Sequence, residues 1–112
     1  MKYDIKVDAV GNKYYYVDFI IHRENGPAIE YITGEKWWYK NGLLHREDGP
    51  ANEYANGNKI WYKNGDLHRE DGPAKEYANG YKEWRLNNKE YGHNNDFTNE
   101  SWKKFVKTII FS

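Results

Sequence analysis

The sequence contains no cysteine, three prolines and one methionine, and what is scarce narrows the answer. Without cysteine there is no disulfide framework and no thiolate metal centre, which suits a reducing compartment. Seventeen basic residues meet seventeen acidic ones, so no surplus of one sign points to nucleic acid or an anionic membrane as the main partner. No apolar run is long enough to span a membrane, and the opening stretch MKYDIKVDAVGNKYYY lacks the apolar segment of a signal peptide. A cytoplasmic location is the expectation. Leucine, isoleucine and valine are also few, so a thick aliphatic core is not expected.

Aromatic residues make up 18% of the chain instead. Tyrosine and tryptophan bury large rings yet keep a polar tip, which suits a thin sheet. Asparagine and glycine recur together as Asn-Gly, the pair that tolerates the positive φ angles of a tight hairpin turn. With 112 residues the chain (1–112) is long enough for one domain.

The glycines reveal a period. Gly11, Gly34, Gly57 and Gly80 lie 23 residues apart, each followed two positions later by Lys13, Lys36, Lys59 or Lys82. Tyr15, Trp38, Trp61 and Trp84 share one slot, and Tyr31, Tyr54 and Tyr77 another. Residues 4–91 therefore read as one repeat array. Each unit carries two turn signals, as in YANGNK and YKNGDL, which predicts two antiparallel strands per unit. The return path from Asp66 to Ala78 is about seven residues longer than the outward one, so HREDGP should bulge or turn a corner.

Two-residue turns at both Asn-Gly sites would place Tyr54 opposite Lys59, Tyr62 opposite Leu67, and Trp61 opposite His68. Tyr54, Lys59, Trp61 and His68 would then share a face, with Glu53, Ile60, Tyr62 and Leu67 on the other. After Tyr91 the spacing turns helical: Trp102, Phe105, Val106, Ile109 and Ile110 form one stripe. That predicts a capping helix within 97–110, with Thr98 as N-cap and Phe97 stapled to Trp102. The expected fold is mainly β: an antiparallel meander of hairpin repeats in a single curved sheet, with one C-terminal α-helix.

The segments WYKNGDLH and EYANGYK resemble the membrane occupation and recognition nexus (MORN) repeat, also a 23-residue β-hairpin unit. The usual His-Gly-x-Gly of that family is replaced here by HREDGPA, a variant that resembles repeats in uncharacterised proteins of bacteriophages and large viruses. The resemblance implies a scaffold, a dimeriser or a lipid-associated module, and a short helix ending the array.

His22, His45 and His68, beside Glu and Asp, raise the question of a metal. Equivalent side chains in a two-strand repeat sit ~9.6 Å apart, twice the strand spacing, too far to share an ion bound at ~2 Å. No Ser or Cys nucleophile lies within the repeat and no glycine-rich phosphate loop is present, so neither an enzyme nor a cofactor is expected. His22, His45, His68, Asp48, Asp71, Gly49 and Gly72 read as structural: each histidine stacks on the opposite ring, Asp bonds its own backbone, Gly allows positive φ, and Pro starts the next strand. The binding candidates are Arg23, Glu24, Arg46, Glu47, Arg69 and Glu70 at the corners, with Tyr54, Tyr77 and Trp61 on the sheet, since Tyr, Trp and Arg dominate protein interfaces. Another protein, one of the host if the chain is viral, is the expected partner, and the expected function is inhibition of a host (defence) protein. Capture of a nucleotide or nucleic acid by aromatics and Lys/Arg is the alternative. A homodimer through a sheet edge or the C-terminal helix is a further expectation.

Overall fold

Glycine before a lysine makes one kind of turn and Asn-Gly after a Tyr-Lys pair makes another, and this difference shapes every unit. The computed structural model describes residues 1–110. Its strands are β1 (Asp4–Val7), β2 (Lys13–Val17), β3 (Ile20–Ile21), β4 (Ile29–Glu30), β5 (Lys36–Trp37), β6 (Tyr39–Lys40), β7 (Leu43–Leu44), β8 (Asn52–Glu53), β9 (Lys59–Ile60), β10 (Tyr62–Lys63), β11 (Asp66–Leu67), β12 (Lys75–Glu76), β13 (Lys82–Leu86) and β14 (Lys89–His93), followed by α1 (Asn99–Ile110). The main sheet runs in the order β1-β2-β4-β5-β8-β9-β12-β13-β14, with β3 paired to β2. The pairs β6-β7 and β10-β11 form separate two-stranded arms.

The strand expected from Asn58 to Lys63 breaks at Trp61, giving β9 to the main sheet and β10 to an arm. The break has a cause in hydrogen bonding: Trp61 donates its N–H to the Ala74 carbonyl, while its own carbonyl accepts from His68 (2.7 and 3.2 Å). The expected pairing of Tyr62 with Leu67 and of Trp61 with His68 is present. Asn64 and Gly65 both have positive φ (50° and 85°), the two-residue turn that matches strand twist.

The other turn differs from expectation. Gly57 N–H bonds the Tyr54 carbonyl, and Tyr54 N–H bonds the Asn58 carbonyl (3.0 and 2.9 Å), so Ala55-Asn56-Gly57 is a three-residue loop with glycine alone at positive φ (96°). One extra residue shifts the register: Lys59 faces Glu53, not Tyr54, and Ile60 faces Asn52. A shift of one moves side chains to the opposite face. Tyr54 therefore joins Ile60, while Glu53 joins Lys59 and Trp61.

Neighbouring arms are joined tip to strand. Gly42 N–H bonds the Ile21 carbonyl, Gly65 the Leu44 carbonyl, and Asn88 the Leu67 carbonyl (2.9, 2.8 and 2.8 Å). The stack is elongated, 45 × 31 × 18 Å with a radius of gyration of 15.6 Å, against about 13 Å for a compact domain of this length.

The array closes at its C-terminal end. Trp84, Leu86, Trp102 and Val106 form a buried cluster flanked by Tyr91, Phe97 and Phe105. Thr98 is the N-cap as expected: its Oγ1 accepts the Ser101 N–H (3.0 Å), and Ser101 Oγ accepts the Thr98 N–H (2.9 Å). Phe97 packs edge-on against Trp102 with centroids 4.9 Å apart, the stapled pair. The cap and staple occupy positions 97 and 98, so the helix itself begins at Asn99.

Candidate interaction surface

Each corner is built around an arginine. The guanidiniums of Arg23, Arg46 and Arg69 lie over the rings of Tyr15, Trp38 and Trp61, 3.9, 3.8 and 3.8 Å from the centroids. In all three corners Nη1 donates to the carbonyl of Pro27, Pro50 or Pro73, at 3.1 Å each. The same nitrogen reaches Glu30, Glu53 or Glu76 at 3.1, 3.2 and 3.1 Å. Nε of Arg46 and Arg69 also donates to Asp48 and Asp71 (3.2 and 3.0 Å).

The histidines are held by hydrogen bonds. Imidazole Nδ1 of His22, His45 and His68 accepts the backbone N–H of Asn41, Asn64 and Asn87 in the next unit (2.9, 2.9 and 3.0 Å). An accepting Nδ1 leaves the proton on Nε2, which faces Glu24, Glu47 or Glu70 at 2.8, 2.7 and 2.9 Å. Each histidine is thus a rivet between units, with both ring nitrogens engaged. Among the described residues, no group of three His, Asp or Glu side chains converges as a metal-binding set.

Gly49 and Gly72 serve the arginine by being small. They are absent from the positive-φ glycines, contrary to the expected turn role. A Cβ on Gly26, Gly49 or Gly72 would stand 3.0, 2.8 or 2.8 Å from the arginine Cζ. The guanidinium is thus flanked by an aromatic ring and a glycine. Asp48 and Asp71 serve that guanidinium too. The Arg–Glu pairs at the corners run within one unit, whereas Lys40 approaches Glu24 of the preceding unit at 3.9 Å.

The expected binding residues therefore fall into two groups. Arg23, Arg46 and Arg69 point inward, with side chains 26, 21 and 19% exposed. The carboxylates of Glu47, Asp48 and Asp71 remain open at 74, 87 and 72%, with Glu24 and Glu70 at their side. Adjacent corners enclose two like clefts, of about 650 and 620 Å³. Trp61 and Lys63 line the first, and Trp38 and Lys40 the second. Tyr54 and Tyr77 lie on the other face: Tyr54 belongs to the row Tyr31-Trp37-Tyr54, with centroid spacings of 5.5 and 6.2 Å, and Tyr77 contacts Tyr81 at 5.4 Å.

The last unit breaks the scheme. Trp84 occupies the ring slot, yet Phe97 and Trp102 cover it at 5.6 Å each in place of a guanidinium. Trp102 Nε1 donates to the Arg69 carbonyl (2.9 Å), tying the helix to the third corner. Glu83, a residue the sequence reading passed over, is buried beside Lys75 and Arg85 at 3.5 and 2.7 Å. Burial pushes its carboxyl pKa up, but hydrogen bonds from Tyr81 and Arg85 and the charges of Lys75 and Arg85 outweigh that and hold it below the usual carboxylate range. Its hydrogen bond pushes the Tyr81 phenol up to about 12. Its slot holds Tyr14, Trp37 and Ile60 in earlier units, and that loss of an apolar pattern was the available signal.

No helix among the described residues is long and apolar enough to cross a membrane. Comparison with protein-family models, curated proteins and solved structures finds no match to this chain.

Proposed function

We propose that the chain is a non-enzymatic, MORN-like repeat module that binds another protein, and that the corner clefts are where it does so. The observation that carries this reading is the duplicated cleft: a tryptophan and a lysine recur in the lining one unit apart, under corner carboxylates, with Asn25 in the second cleft in the slot that Asp48 fills in the first. A repeated, unit-spaced surface suits an extended partner segment. Because the arginines are committed internally, the charge offered outward is negative, so the complementary partner face is basic. The same carboxylates weigh against a nucleotide or nucleic acid, whose phosphates they repel. The further step, a phage-encoded inhibitor of a host protein, rests on the viral resemblance of HREDGPA.

The test is a tagged pull-down from host-cell lysate, with nuclease and at low and high salt, run beside a variant carrying Glu47→Lys, Asp48→Lys and Asp71→Lys. A stoichiometric protein kept by the parent chain and lost by the variant supports the reading. Retention of that protein by the variant, recovery of nucleotide alone, or turnover of a substrate would sink it.

A further inference from the structure

The two ends of the main sheet are finished differently. At one end the pairing of β14 with β13 is irregular, the register shifting between Trp84 and Arg85 of β13, and the chain folds back so that Asp96 and Phe97 crowd Gly92. At the other end β1 pairs with β2 through four consecutive residues without irregularity, and all four are exposed. Regular exposed edges are templates for pairing, and proteins commonly blunt them with bulges, proline or lone lysines. β1 has no bulge and no proline. Its lysine has an aspartate two positions away.

The backbone of this edge is turned the right way. Asp8 N–H donates to the Asn12 carbonyl (3.0 Å), so Asp8 bonds inward. Tyr15, opposite Ile5, gives its N–H to Ala28 and its carbonyl to His22 (2.8 and 3.0 Å), leaving nothing for Ile5. Antiparallel ladders alternate. The N–H and C=O of Ile5 and Val7 therefore face outward, with Tyr3 in the same phase. Tyr3 is held by its hydroxyl, which accepts the Glu24 N–H (2.9 Å), and by its edge-on contact with Tyr15.

We infer that β1 pairs with β1 of a second copy, antiparallel about a two-fold axis at Ile5, to make one continuous sheet across two chains. In that register Ile5 faces Ile5 of the second copy and Val7 faces its Tyr3, all at hydrogen-bonding positions. Asp4 faces Lys6 and Lys6 faces Asp4, at the positions between, where cross-strand side chains come closest. Both are exposed and make no ion pair among the described residues. The order Asp-Ile-Lys is its own complement when reversed, so a lysine that would repel a foreign edge accepts this one. Ile5 and Val7, 51 and 60% exposed, gain apolar partners. The contact is isologous and closes at two chains.

Sedimentation equilibrium of the full chain at low ionic strength reads the association. A dimer is expected, with Asp4→Lys or Lys6→Asp each weakening it about tenfold or more, because both ion pairs become like-charge contacts. Mixing the two single variants restores association as a heterodimer, as does combining both substitutions in one chain. Thermal melts of the single variants check that each still folds; since both side chains are exposed, little change is expected. A chain that stays monomeric throughout the concentration range overturns the inference. So does a dimer indifferent to the single reversals, or variants that fail to recover association on mixing.

Discussion

A guanidinium held between an indole and a glycine is constrained from both sides, and the two constraints are measurable as one coupling. Gly49→Ala should cost about 1–3 kcal/mol, since overpacking forces the Arg46 side chain or the loop to move. The same substitution in an Arg46→Ala background should cost far less, because the Cβ then has nothing to strike. Urea unfolding of the four chains gives the cycle; additive costs would mean that the glycine serves the backbone instead. This pairing was not legible in HREDGPA as a string. Arginine reads as a surface residue, and Asp-Gly-Pro reads as turn chemistry, until the ring 8 positions earlier in the chain is seen to lie across from the corner rather than along the strand. The turn register was more accessible. Val10 and Thr33 precede glycine in the slot where Asn56 does, and a β-branched residue resists the positive φ that a two-residue turn demands there.

Among the elements, the terminal hairpin β13-β14 trades stacking for charge. Glu83 in β13 gathers Tyr81, Lys75 and Arg85 where other units place an aromatic or aliphatic side chain. Because its folded pKa lies below the unfolded value, the carboxylate contributes stability above that unfolded value, near 4.5, and the contribution fades as pH falls through the folded pKa. Glu83→Gln should therefore lower stability by about 1–3 kcal/mol at neutral pH, and the two chains should converge in acid. Denaturant melts from pH 7 downward check it; a gap that stays constant with pH would refute the assignment. The helix behind this hairpin was readable from its apolar spacing and its Thr98 cap, since capping and periodicity are local. The kink at Trp61 was not, because it depends on hydrogen bonds to Ala74 and His68 that become visible only once the units are stacked.

At the scale of the whole molecule, the stack is a sum of similar junctions. Each junction is made by the same few contacts: a histidine Nδ1 to the next unit's asparagine, an arginine N–H to the carbonyl of Tyr39, Tyr62 or Arg85, and a turn tip to the preceding arm. Removing 23 residues from His45 through Leu67 should rejoin equivalent positions and leave a shorter protein that still folds cooperatively, reduced in length by ~9.6 Å. Small-angle scattering and a thermal melt decide it; loss of a cooperative transition would mean that the units are not interchangeable. The period, the mainly β class and the terminal helix were all present in the sequence because repetition and spacing survive without knowledge of contacts.

The histidine rivets also set a clock. Each spans 19 positions from ring to partner backbone, and the span stays the same however many units are stacked. Folding rate follows the sequence separation of contacts more than their number. No junction waits for a distant part of the chain, so nucleation can begin at any pair of units and spread both ways, and lengthening the array would leave the time to form its first junction unchanged.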